Sequence, residues 1–153
     1  MLDVYVDADA CPVKDEIYRV AERYGLNVIL VANSPFRVPL DPRIRLVVVG
    51  ARFDEADDWI AEQAGAGDIV ITADIPLASR CLKQGARVIG TTGRPFTDAT
   101  IGQALAGRDL SAHLRETGMI TGGPPPLGKQ DRSRFLQQLD QDIQAIRRGA
   151  QRR

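Results

Sequence analysis

The first twelve residues, MLDVYVDADACP from Met1 to Pro12, constrain this chain more than any other stretch. Leu2, Val4 and Val6 alternate with other residues, and the run halts at Asp7-Ala8-Asp9. Pro12 then supplies a favoured first helical residue. The pattern predicts a strand that carries two carboxylates to its carboxyl end and gives way at once to a helix. In an open α/β sheet that end of a strand is where ligands and metals bind.

The remainder supplies partners for such a strand. Val13, Ile17, Val20, Ala21 and Tyr24 recur at helical spacing and stop at Gly25. Asn27 to Ala32 is a short apolar run suited to a strand covered on both faces. Asn33 to Arg43, with Pro35, Pro39 and Pro42, reads as a loop, and Ile44 to Val49 as a third strand. A helix is expected from Asp54 to Ala64, a fourth strand over Asp68 to Thr72, a helix opened by Pro76 and stopped by Gly85, and a fifth strand from Ala86 to Ile89. This alternation implies an α/β fold with a mostly parallel five-stranded sheet flanked by helices.

At 153 residues the chain has the length of one domain. Its core is expected over about residues 1–90, with a helical extension over about 91–148. Thr91 to Pro95 reads as a loop, and two short helices are expected near Asp98 to Ala106 and Leu110 to Thr117. Gly122 to Pro126 reads as a linker. A last helix near Asp131 to Arg148 carries Phe135, Leu136, Leu139, Ile143 and Ile146 as its apolar stripe. That stripe suits packing inside the fold or against a second copy, so a homo-oligomer stays open.

Composition removes several classes. No apolar run is long enough to span a bilayer, and Asp3 stands where a signal segment would be basic, so a cytoplasmic protein without a membrane role is expected. Cys11 and Cys81 are too few for a disulfide framework or a zinc site, and His113 is the single histidine. Twenty basic residues balance twenty acidic ones, so affinity for nucleic acid must come from local patches. Basic residues gather late, at Lys129, Arg132, Arg134, Arg147, Arg148, Arg152 and Arg153, diluted by Asp131, Asp140 and Asp142. Aromatics are 5% of the chain and are not interleaved with them, which argues against a base-stacking platform.

Acids recur at strand ends: Asp7 and Asp9 after the first, Asp54, Asp57 and Asp58 after the third, Asp74 after the fourth. Parallel neighbours bring these ends to one edge, where converging carboxylates repel unless a cation sits among them. Hard oxygen donors favour Mg2+ or Mn2+. The competing reading is helix capping, which suits Asp54 and Asp74 equally well. Asp7 ends its strand well before Pro12 and escapes that alternative. Asp57 lies at the margin of its helix's apolar side, so it ranks above Asp58. Arg94, after the fifth strand, is a candidate phosphate contact whose alternative is a plain turn. Lys129, Arg132 and Arg134 are candidate nucleic-acid contacts if the segment from Gly122 folds back over the acidic edge; otherwise Asp131 simply caps a helix.

The blocks VYVDADACPVK, FDEADDWIAE, GDIVITADIPLASRCLKQGA and GGPPPLGKQDRSRFLQQLD resemble those of the YaiI/YqxD family across nearly the whole chain. That family resembles, more remotely, the PIN-like and NYN nucleases. The resemblance implies a PIN-like fold and a metal-dependent hydrolase acting on nucleic acid, with RNA the favoured substrate. It implies metal ligands at Asp7, at Asp57 or Asp58, and at Asp74 of Thr72-Ala73-Asp74; in a nuclease built on them, Asp9 or Asp58 is expected as a further ligand or water-orienting catalytic acid. A phosphatase resembling haloacid dehalogenases is a rival, with Asp7 as nucleophile and Asp9 as general acid, although Thr72, Lys83 and Asp57-Asp58 come in the wrong order for it. A non-catalytic RNA-binding protein is a third reading.

Overall fold

The computed structural model describes residues 2–50, 55–106 and 127–151. Six strands form one sheet: β1 (Asp3–Asp7), β2 (Asn27–Ala32), β3 (Ile44–Val48), β4 (Ile69–Ile71), β5 (Arg87–Ile89) and β6 (Pro95–Phe96), in the order β3-β2-β1-β4-β5-β6. The first five are parallel, in a register that sets Val6 beside Leu30 on one side and Ile71 on the other. The sixth strand extends the five that the sequence predicts. Pro95 pairs antiparallel with Ile89, and Phe96 with Val88, so the predicted loop after β5 is a hairpin. Two residues at a sheet edge, one a proline, carry no periodicity of their own; only the partner strand defines them.

Helices cover both faces. α1 (Lys14–Tyr24) and α5 (Lys129–Gln151) lie on one, α2 (Glu55–Gln63) and α3 (Ile75–Lys83) on the other, and residues 98–106 form α4. The strands' alternation sorts side chains between two cores. Val4, Val6, Leu30 and Ile71 meet Ile17, Val20, Phe135, Leu139 and Ile143 of α1 and α5. Tyr5, Ile29, Val31, Val70 and Val88 meet Ile60, Leu77 and Cys81 of α2 and α3. The buried positions of the inner strands are apolar, as in Val28 to Ala32 of β2, whereas the edge strand β3 leaves Val48 exposed. The stripe of α5 is thus internal, with Phe135, Leu139 and Ile143 at most 1% exposed.

α1 starts later than Pro12 implies. Ala8–Ala10 form a 3-10 turn, and the helix begins at Lys14. It ends at Gly25, whose φ of 68° lets its amide close onto the carbonyls of Ala21 and Glu22. α5 is tied to α1 along its length. Arg132 Nη1 donates to Pro12 O at 3.0 Å and to Glu16 Oε1 at 2.9 Å, Tyr24 donates to Asp140, and Arg147 Nη2 donates to Tyr24 O at 2.7 Å. Among the described residues no helix is long and apolar enough to cross a membrane. The predicted helix near Leu110 to Thr117, the Gly122–Pro126 linker, Asp54 and His113 lie outside the described residues.

Candidate functional site

The chain winds outward in opposite directions from the middle of the sheet, through α1 to β2 on one side and through α3 to β5 on the other. The reversal lies between β1 and β4, and such a point opens a crevice at the carboxyl ends of the two strands. Asp7 ends β1, and Thr72-Ala73-Asp74 follows β4 directly.

Thr72 joins these two ends. Its side chain is buried, its Oγ1 donates to Asp7 Oδ2 at 2.9 Å, and the same oxygen accepts from the Asp74 amide at 2.9 Å. Asp74 Oδ1 accepts from the Leu77 amide at 2.9 Å, so Asp74 is also the N-cap of α3. Capping and site geometry are therefore compatible, since each uses one oxygen. Asp7 Oδ1 and Asp74 Oδ2 accept no hydrogen bond from the described residues.

Asp57, in the first turn of α2, completes the group electrostatically. Burial pushes its carboxyl up to about 6, and the charges of Asp74 and then Asp7 push the same way, while Arg80 opposes them. Asp7 is likewise raised, first by burial and then by Asp74 and Asp9, against the Thr72 hydrogen bond. Carboxylates from three elements thus feel one another's charge. The other two predicted acids are engaged elsewhere. Asp9 is exposed and accepts from the Asn33 amide at 2.9 Å, tying the β1 turn to the loop after β2. Asp58 pairs with Arg80 at 2.7 Å. Of the two acids in this turn, Asp57 feels the charges of Asp74 and Asp7, and Asp58 is paired with Arg80.

Among the described residues, no three His, Cys, Asp or Glu side chains stand together as a ready-made ion cage. The donor set still fits a hard cation. Mg2+ keeps most of its waters and takes one or two carboxylates, so a closed cage is not what it requires. Asp7 and Asp74 each offer one oxygen without a described partner, in a place where negative charge is under-compensated.

The predicted basic residues divide. Arg132 Nη1 is engaged with Glu16 and Pro12, and Asp131 accepts from the Gly128 amide at 3.2 Å, as an acid near a helix start does. Arg94 and Lys129 are exposed, and Arg134 makes only a loose 3.7 Å pair with Asp131. Gly93, at φ 88°, lies so close to α5 that a Cβ there would stand 2.6 Å from Phe135 N and 2.7 Å from the Arg134 carbonyl carbon. This approach brings the Arg94 turn against Arg134. The turn lies one strand beyond Thr72, whose amide donates to Ile89 O at 3.2 Å. Arg80's pairing with Asp58 leaves no signal in the sequence. Its partner is remote in sequence, and its helix, read alone, gives it no role.

A family model described as uncharacterised BCR, YaiI/YqxD family matches residues 5–145. A UPF0178 protein of Rhodospirillum rubrum is 58% identical over 149 residues, covering 97% of this chain and 99% of the relative. A UPF0178 protein of Caulobacter sp. (strain K31) is 60% identical over 148 residues, covering 97% and 98%. No solved structure matches significantly. With a matching family model over most of its length and full-length relatives near 60% identity, the chain belongs to the YaiI/YqxD family.

Proposed function

We propose that this protein is a divalent-metal-dependent nuclease of PIN-like type, acting on RNA in the cytoplasm, with Asp7, Asp57 and Asp74 facing the metal. The observation that carries the reading is the Thr72 bridge, which holds Asp7 beside the Asp74 turn at the point where the sheet's winding reverses. Mg2+ or Mn2+, when bound, supplies a water acidic enough to attack at neutral pH and stabilises charge on the phosphoryl oxygens. Thr72 fixes the rotamer of Asp7 and leaves its Oδ1 available. Asp74 is held by the Leu77 amide, so little reorganisation is needed to present Oδ2. The burial and the Asp74 and Asp7 charges that raise the Asp57 carboxyl would be opposed by a cation held there. Asp9, held by the Asn33 amide, and Asp58, paired with Arg80, flank the group in this reading, and each keeps one carboxylate oxygen with which to orient water. Arg94, Lys129 and Arg134 neutralise substrate phosphates on the β5 side, and Arg132 steadies α5 beneath them.

No observation favours the phosphatase reading. Lys83 sits at the end of α3 opposite Asp74, a helix length from Asp7. The test is manganese titration of the protein, followed by the electron-spin-resonance signal of free Mn2+, together with incubation of an oligoribonucleotide with Mn2+. Expected are metal uptake by the wild type, its loss in Asp7→Asn, and cleavage by the wild type alone. A wild type that takes up no Mn2+ overturns the proposal. RNA binding that survives Asp7→Asn, with no cleavage by either, would identify a non-catalytic RNA-binding protein instead.

A further inference from the structure

We propose that Arg80 is a substrate-positioning residue, whose guanidinium leaves Asp58 to grip a backbone phosphate of the nucleic-acid strand next to the one held at Asp7 and Asp74. The inference rests on the nuclease reading and deepens it by adding the substrate's path. Arg80 Nη1 meets Asp58 Oδ1 at 2.7 Å, and both side chains are about half exposed, at 46% and 47%. A pair so open to water adds little to the fold, so exchanging its carboxylate for a phosphate costs little. The contact uses Nη1, and a guanidinium carries five N–H donors in a planar fork suited to two phosphate oxygens.

Its location gives the pair a direction. Arg80 belongs to α3, on the face of the sheet covered by α2 and α3, and its charge acts on Asp57. Lys129 and Arg134 belong to α5, on the opposite face, and Arg94 to the turn packed against it. The acids lie between these two banks of positive charge. A strand contacting both crosses the carboxyl edge of the sheet from one face to the other, with one phosphodiester over Asp7 and Asp74. Asp58 then serves as a stand-in for phosphate, holding the Arg80 guanidinium at 2.7 Å when no substrate is bound.

The test measures binding of a fluorescein-labelled oligo-uridylate of about 12 nucleotides at several KCl concentrations, with Ca2+ replacing Mn2+. Arg80→Gln is expected to weaken binding about tenfold at low salt and to flatten the plot of log K against log salt by about 0.7. Arg80→Lys should restore the slope but only part of the affinity, because a point charge replaces a fork. Asp58→Asn frees Arg80 and should bind at least as tightly as the wild type. Arg80→Gln should still take up Mn2+, with affinity shifted only through the loss of the positive charge that acts on Asp57. If Arg80→Gln leaves the slope intact, or if Asp58→Asn loses affinity in step with it as a structural pair would, the role of Arg80 is overturned while the metal site stands. A wild type that binds Mn2+ but not the oligonucleotide also overturns it. Failure of Mn2+ uptake by the wild type removes the underlying reading itself.

Discussion

The hydroxyl of Thr72 lies 2.9 Å from Asp7 Oδ2 and, on its other side, 2.9 Å from the amide of Asp74. Neighbouring parallel strands are always within reach of each other, but their ends need not be coupled. Here one buried side chain couples them, donating to a carboxylate that closes β1 and accepting from the backbone that opens α3. The two acids separated by most of the sheet's sequence are thereby held as one unit.

Thr72→Val keeps the shape and removes the hydroxyl. It leaves the Asp74 amide without its acceptor and Asp7 without the hydrogen bond that opposes its raised proton affinity. A loss of about 1–2 kcal/mol is expected in urea unfolding, with Mn2+ affinity falling about 10–100-fold in titration. Thr72→Ser should preserve most of both. A valine variant with wild-type Mn2+ affinity would show that the bridge has no part in the site.

Asp57 makes stability depend on pH in the unusual direction. Its carboxyl is raised from 3.8 to about 6, so between those values the folded protein binds more protons than the unfolded chain. The favourable contribution is complete below 3.8 and is lost as pH climbs to about 6. In metal-free buffer, Asp57→Asn should therefore be more stable than the wild type at pH 8, by about 1 kcal/mol after allowing for solvent screening, with the difference vanishing near the acid end. The same proton competes with metal, so Mn2+ uptake by the wild type should weaken as pH drops below about 6. Thermal melts at the two pH values, with a Mn2+ titration series, check both; equal melts at pH 8 would contradict the charge crowding.

Gly93 separates backbone strain from crowding. Gly93→Ala meets both a φ of 88° and the α5 backbone, whereas Gly67→Ala, at φ 89°, meets nothing within 4 Å. Strain alone should cost Gly67→Ala about 1 kcal/mol, while Gly93→Ala should cost about 3 kcal/mol and loosen α5 from the sheet. Chemical denaturation, with hydrogen exchange of the α5 amides, distinguishes them. Equal costs would mean that the close approach is not needed.

Much of the fold was legible because its causes are local. Val28 to Ala32 is apolar throughout because both sheet faces are covered, Gly25 stops a helix because it alone takes φ 68° easily, and the Asp74-Ile75-Pro76 order marks a helix start. β6 was illegible, since a two-residue edge strand exists only through its partner. Arg132 reads as a candidate phosphate contact because it lies in a basic cluster, and the sequence carries no sign of the partners its Nη1 takes. Its engagement with Glu16 and Pro12 is a contact 116 and 120 residues away along the chain.

From the residues alone came the alternation of strands and helices, the family, and a short roster of acids at strand ends. These follow from periodicity, capping preference and residue chemistry, which act over a few neighbouring positions. Which acids meet was decided only in three dimensions. Strand order set β1 beside β4, the Thr72 hydroxyl then linked Asp7 to Asp74, Asp57 came within reach of their charge, and Asp58 was drawn to Arg80. Such pairings depend on distances between groups remote in sequence, and those distances are fixed by packing the two cores against the sheet.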